Sequence, residues 1–261
     1  MKRRRIPLAY LPMRWATSLL LGCALTVNVA SAQTVNVAPA APPENLPMFR
    51  PVLLGQGPDS VINTIDTKGL FDKGQKNASV MFSCRVSKTG DILWNRTYRG
   101  TAGSKLLEQE LQRRLALAKF VPAVRNHQSV DAIYFGTAIF AIKDGKPHLR
   151  IFSNQQPDEL KNENDFIDPQ PYMGPDSGFV GWRYPDAGSP VLVTGSVELA
   201  VHVDAQGNLL ELNVASEYPP LMGFAQEAFA DFRHARFIPA FRNGQPVESK
   251  VTLPIYFVPE D

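Results

Sequence analysis

The sequence predicts an α+β chain of 261 residues built from two tandem copies of one small domain. Each copy is an antiparallel sheet of strand–strand–helix–strand order covered by one helix. Three observations predict this. AKFVPAVRNHQSVD, from Ala118, and ARFIPAFRNGQPVE, from Ala235, are variants of one run at an offset of 235 − 118 = 117. Each copy has a segment of alternating apolar and polar residues, which marks a strand with one buried face. Each also has a segment with apolar residues three and four apart, which marks an amphipathic helix. A period of 117 residues is a domain plus a linker, too long for a solenoid repeat.

The elements follow in order. The first strand carries Val80, Phe82, Cys84 and Val86 in one copy and Val197, Leu199, Val201 and Val203 in the other. Ser87-Lys88-Thr89-Gly90 and Asp204-Ala205-Gln206-Gly207 then turn the chain, with glycine available for positive φ. In the second strand Leu210, Leu212 and Val214 alternate in copy two, whereas Ile92 and Trp94 fall on the other parity in copy one. A one-residue slip flips the buried face, so copy one carries a bulge or buries its sheet differently. Leu107, Leu111, Leu115 and Ala118 form the helix face of copy one, and Phe224, Ala228, Phe232 and Ala235 match them. Ser104 is a candidate N-cap, Pro219-Pro220 precede the second helix, and Pro122 and Pro239 stop the two helices. After turns at Asn126 and Asn243-Gly244, the last strands run from about Ala132 to Ile142 and from Val251 to Val258. Pro254 lies inside the latter and predicts an edge strand, because proline cannot donate to a ladder.

Boundaries follow from composition. Residues 1–32 read as a secretory signal: a basic head, an apolar stretch from Trp15 to Val27 and an Ala30-Ser31-Ala32 exit. An uncleaved membrane tether, or lipidation of Cys23 in Leu20-Leu21-Gly22-Cys23, are the alternatives. Residues 33–47 are a Pro-rich lead, 48–150 the first domain, 151–181 a polar, proline-rich and irregular linker, and 182–261 the second domain. Residues 48–76 add a strand or a helix to copy one. The chain has 27 basic and 25 acidic residues. The signal holds five of the basic ones, so the exported chain is 22 − 25 = −3, which removes the electrostatic case for nucleic acid. Cleavage leaves Cys84 alone, in the place of Val201, and this reads as a core position rather than a disulfide.

Copy two resembles a known family. WRYPDAG from Trp182, GSVELAVHVDAQGNLLELNVASE from Gly195, FRHARFIPAFRNGQPV from Phe232 and VTLPIYF from Val251 are similar, in order, to TonB C-terminal domains. Copy one resembles them less closely and lacks the Tyr-Pro lead-in. The resemblance implies two tandem TonB C-terminal-like domains in the periplasm and no enzymatic activity. It implies a grip on the extended N-terminal peptide of an outer-membrane receptor by strand addition. The pairing strand would be Val251, Thr252, Leu253, Pro254, Ile255, Tyr256 and Phe257, with Tyr184 and Pro185 near the interface. Another envelope protein, or a second copy of the chain in a homodimer, is the alternative partner.

Three departures separate the chain from a full-length transducer: no histidine in the apolar segment, a lead spanning on the order of 50 Å at about 3.1 Å per residue, and the doubling. They point to a soluble relative, with an anchored transducer or a structural assembly protein as alternatives. Enzyme signatures are missing. His127, His148, His202 and His234 are never at metal-ligand spacing, His202 and His234 read as solvated, and no nucleophile-elbow or phosphate-loop run occurs. No catalytic residue, metal or cofactor is assigned. Asp158, Glu159, Glu163 and Asp165 read as a solvated run within the linker.

Overall fold

The computed structural model describes residues 45–179, 181–185 and 193–259. The export signal, the lipidation alternative at Cys23 and the lead up to Glu44 lie outside them. Among the described residues no helix is long and apolar enough to cross a membrane. The elements are β1 (Phe49–Arg50), α1 (Val61–Thr64), α2 (Thr67–Asp72), β2 (Ala78–Val86), β3 (Ile92–Tyr98), α3 (Lys105–Leu115), β4 (Ala123–Arg125), β5 (Gln128–Lys143) and β6 (Lys146–Phe152). They continue as α4 (Pro157–Lys161), β7 (Gln170–Met173), β8 (Gly195–Val203), β9 (Leu209–Tyr218), α5 (Phe224–Phe232), β10 (Phe237–Ile238), β11 (Ala240–Arg242), β12 (Gln245–Val247) and β13 (Ser249–Phe257). Residues 48–76 thus supply both a short strand and two short helices.

The pairing repeats between the halves. Ala78 faces Phe140 and Val86 faces Ala132 in the first; Gly195 faces Phe257 and Val203 faces Ser249 in the second. Both first hairpins carry a bulge at the same place, Arg85/Val86 and His202/Val203. The β2–β3 and β8–β9 turns also agree. Gly90 (φ +86°) and Gly207 (φ +79°) lie so close to the carbonyl oxygens of Phe120 and Phe237 that a Cβ would come within 2.1 and 1.9 Å of them. Those glycines are required by space as well as by φ. Asn126 and His127, and Asn243 and Gly244, take positive φ, the geometry of a two-residue hairpin loop.

Each helix covers one sheet face. Leu107, Leu111 and Leu115 are fully buried with Val80, Phe82, Cys84 and Val86; Phe224, Ala228 and Phe232 are buried with Val197, Leu199, Val201 and Val203. Ser104 occupies the N-cap position of α3 but makes no side-chain cap. Gln75 serves instead, its Oε1 accepting from the Leu107 N–H at 2.8 Å. The helices end at Leu115 and Phe232, several residues before Pro122 and Pro239.

The parity difference in the second strands comes from what lies behind the first sheet. Both hairpins share the bulge next to the turn, and β8–β9 has a further register shift at Glu198/Leu199. Trp94 points away from α3 and its ring sits 4.7 Å from that of Trp182. Ile133 and Phe135, on the same back face of β5, are buried in the apolar cluster of the second half. β5 is therefore apolar on both faces.

The expected irregular linker at 151–181 is corrected. It carries α4 and β7, and Asn154, Gln155, Asp168, Gln170 and Ser177 are buried. Three of the four carboxylates read as solvated are engaged: Glu159 pairs with Arg242, Glu163 with Arg150, and Asp165 accepts from the Asn243 N–H at 2.6 Å. β7 joins the halves, pairing with β5 and with β10. Backbone groups of a segment lying between two sheets must find partners, and those sheets supply them.

Candidate functional site

β13 is an end strand of the three-stranded order β13-β8-β9. Val251, Leu253, Ile255 and Phe257 are buried under α5, as the alternation requires. The backbone of Thr252 points off the opposite, outer edge. Its N–H donates to Gln156 Oε1 at 3.2 Å, and its carbonyl accepts from Gln156 Nε2 at 3.3 Å. Outward backbone groups recur every second residue along an edge, so Pro254 and Tyr256 share that edge. The Tyr256 carbonyl accepts from Arg96 Nη1, and the Tyr98 and Tyr256 rings stack at 4.3 Å. Pro254, whose nitrogen faces outward, contributes no donor. The edge therefore meets the first half, through Arg96 and Tyr98 of β3 and Gln156 just before α4.

Gln156 is itself anchored. Its Nε2 lies 3.1 and 3.2 Å from the two carboxyl oxygens of Asp168, and Asp168 also accepts from the Gln155 N–H at 2.9 Å. Asp168 is fully buried. Burial pushes its carboxyl from 3.8 up to about 7, against the lowering pull of the bonds from Gln156 and Gln155. Gln155 grips the first sheet, its Nε2 donating to the Phe82 and Gly136 carbonyls, each at 2.9 Å. Adjacent residues thus bridge two sheets, Gln155 to the first and Gln156 to the edge of the second. Burial also lowers the Arg96 guanidinium and raises the Tyr256 phenol.

Tyr184, Tyr256 and Phe257 converge on one cleft of about 860 Å³, walled also by Trp94, Arg96 and Trp182. Tyr184 sits edge-on to Phe224 at 5.7 Å, and its hydroxyl donates to the Val193 carbonyl at 2.6 Å and accepts from the Val193 N–H at 3.0 Å. Pro185 is buried against Gly223, ahead of α5. Arg183 Nε binds the buried Asp231 carboxylate at 3.0 Å, tying this lead-in to α5. The expected site residues thus split: Tyr184, Tyr256 and Phe257 line the cleft, Thr252, Pro254 and Tyr256 face the outer edge, and Val251, Leu253 and Ile255 belong to the core.

Sequence reasoning missed Arg96, Tyr98, Gln155, Gln156 and Asp168. Their bonds span 160 residues from Arg96 to Tyr256, 96 from Gln156 to Thr252 and 13 from Asp168 to Gln155, so no local period marks them. A faint signal was the uncharged Asn154-Gln155-Gln156 amide run ahead of a charged stretch, since amides tolerate burial when bonded. His202 is mostly covered, its side chain 18% exposed, with Nε2 2.6 Å from Glu248; His234 is exposed. Among the described residues no group of three or more His, Cys, Asp or Glu side chains could hold a metal ion.

The corresponding edge in the first half is covered differently. At the 117-residue offset Thr137 matches Pro254 and Phe140 matches Phe257. There β6 pairs antiparallel with β5 from Thr137–Phe152 to Lys143–Lys146. The stretch of β5 that matches Pro254–Phe257 thus already carries an added strand on its outer side. Residues 182–259 match the family model described as the Gram-negative bacterial TonB protein C-terminal. Neither a comparison with curated proteins nor one with solved structures gave a match.

Proposed function

We propose, from the TonB C-terminal domain that residues 182–259 carry, that this chain is a non-enzymatic protein-interaction component of the Gram-negative cell envelope. Its partner adds as an antiparallel strand along the outer edge of β13, Val251–Phe257, beside the cleft walled by Tyr184. The partner class is an extended peptide of an outer-membrane receptor. The observation that carries this reading is β6, which pairs with Thr137–Phe140 of β5, the stretch that matches Pro254–Phe257 at the 117-residue offset. The halves, related at a constant offset in strand, helix and bulge positions, are read as tandem copies, and the exported chain as periplasmic.

A second reading has an observation of its own. Gln156 and Arg96 of the first half occupy β13, which suits an assembly protein whose copies close on each other. Titration of the full chain with receptor N-terminal peptides, followed by amide shifts, separates the two. Saturable shifts on β13, at Thr252 and Tyr256, support strand addition. Shifts confined to β9, or none with Gln156→Ala as well as with the wild type, favour assembly. Sedimentation of the free chain tests the homodimer.

A further inference from the structure

We infer that the first half is a resident occupant of the β13 edge: the Gln156 carboxamide and the Arg96 guanidinium hold in cis the backbone groups that a guest strand would bond, so the edge is closed until they let go. The inference rests on the reading of β13 as the pairing edge. A carboxamide has one carbonyl and one N–H₂ in a plane, as a peptide group has one C=O and one N–H. Gln156 offers both to a single residue, Thr252, accepting from its N–H at 3.2 Å and donating to its carbonyl at 3.3 Å. A neighbouring strand does the same for a residue in a hydrogen-bonded pair. Four residues on, Arg96 takes the Tyr256 carbonyl, and Tyr98 stacks on the Tyr256 ring at 4.3 Å. Pro254 between them has no N–H to give. Of the outward groups of Thr252, Pro254 and Tyr256, a guest meets only the Pro254 carbonyl and the Tyr256 N–H without one of these substitutes.

The substitutes are fixed in place. Gln156 Nε2 is held by Asp168, and Gln155 is bonded to Phe82, Gly136 and, through Nε2, the Tyr98 hydroxyl at 2.9 Å. The latch therefore belongs to the first sheet rather than to a free side chain, and opening it requires movement of residues 154–156 or rotation of Gln156 away from Asp168.

The test uses the full chain with Gln156→Ala, and with Gln156→Met, which keeps the side-chain length and packing while removing both hydrogen bonds. Hydrogen exchange is read at the Thr252 amide against Val251 and Leu253, which point to β8. Thr252 exchange should rise roughly ten-fold or more on loss of about two hydrogen bonds, with Val251 and Leu253 unchanged. Binding of a receptor N-terminal peptide should tighten by a similar factor. Unchanged Thr252 exchange in both variants overturns the latch. So does equal peptide affinity for wild type and variants, which would leave strand addition standing. Faster Thr252 exchange without binding by any of the three proteins instead supports a closed edge and sinks the strand-addition reading.

Discussion

Asp168→Asn gives the most direct test of how the region between the halves is built. Asp168 is fully buried, and burial raises its carboxyl from 3.8 to about 7. A carboxyl raised on folding is held protonated more tightly in the folded chain than in the unfolded one. Below the unfolded value of about 3.9 both states are neutral and burial carries no charge penalty. As pH rises through about 7 the folded state must bury the charge, so stability is lost between about pH 4 and pH 7. The interval from 3.8 to about 7 corresponds to about 4 kcal/mol at about 1.36 kcal/mol per pH unit. Asparagine fits the same space and cannot titrate. Urea unfolding followed by tryptophan emission should show the variant gaining on the wild type by about 4 kcal/mol between pH 4 and pH 8. Other carboxylates titrate in both proteins, so the difference isolates Asp168. A difference that stays flat across that range, or one that moves against the variant as pH rises, would refute the reasoning.

Three further expectations follow from the packing. Gly207→Ala and Gly90→Ala should each cost about 2 kcal/mol or more, because a Cβ would lie 1.9 and 2.1 Å from a carbonyl oxygen at positive φ; thermal melts that shift for one and not the other would break the equivalence of the turns. Phe135→Ala should cost about 3–5 kcal/mol and speed hydrogen exchange in α5 as well as in β5, since Phe135 lies in the second half's core; a loss confined to the first half would contradict a shared core. The Cys84 thiol is buried and its pKa raised by that burial, so alkylation in native buffer should proceed only at the rate of unfolding, and rapid labelling of the folded chain would overturn its core placement.

The likeness of the two halves was legible because each must satisfy the same local physics. Alternation on β2 and β8 follows from one buried face, the spacing of Leu107 or Phe224 from a helix period, and Gly90 or Gly207 from a turn that takes positive φ. These constraints act within a few residues and leave marks in one sequence. The region between the halves left few. Trp94 looked like a parity error, and only the opposing Trp182 shows that a second face is buried there. Residues 151–181 looked like a linker because they are polar, yet buried polar side chains such as Asn154 and Asp168 are stable when bonded: Asn154 donates to the Phe166 carbonyl and Asp168 accepts from Gln155 and Gln156. Pro254 marked an edge correctly but could not say what lies against it.

The two outer edges differ in how firmly they are covered, and the difference bears on which one is free to work. On β5 the cover is β6, a covalently continued strand with a ladder from Thr137–Phe152 to Lys143–Lys146; a guest would have to peel it away with the hairpin at Asp144-Gly145. On β13 the cover is a pair of bonds at 3.2 and 3.3 Å from Gln156, one from Arg96 and a stacked tyrosine pair. Hydrogen bonds of this kind contribute about 1 kcal/mol each and a ring pair about 0.5–1.5 kcal/mol. Their sum, about 4 kcal/mol, is within what an incoming strand with several backbone bonds and side-chain contacts can exceed. An edge closed that lightly is protected against casual pairing with other chains while staying open to a partner that brings a full strand. On these grounds β13, and not β5, is the edge where exchange and titration should first be read.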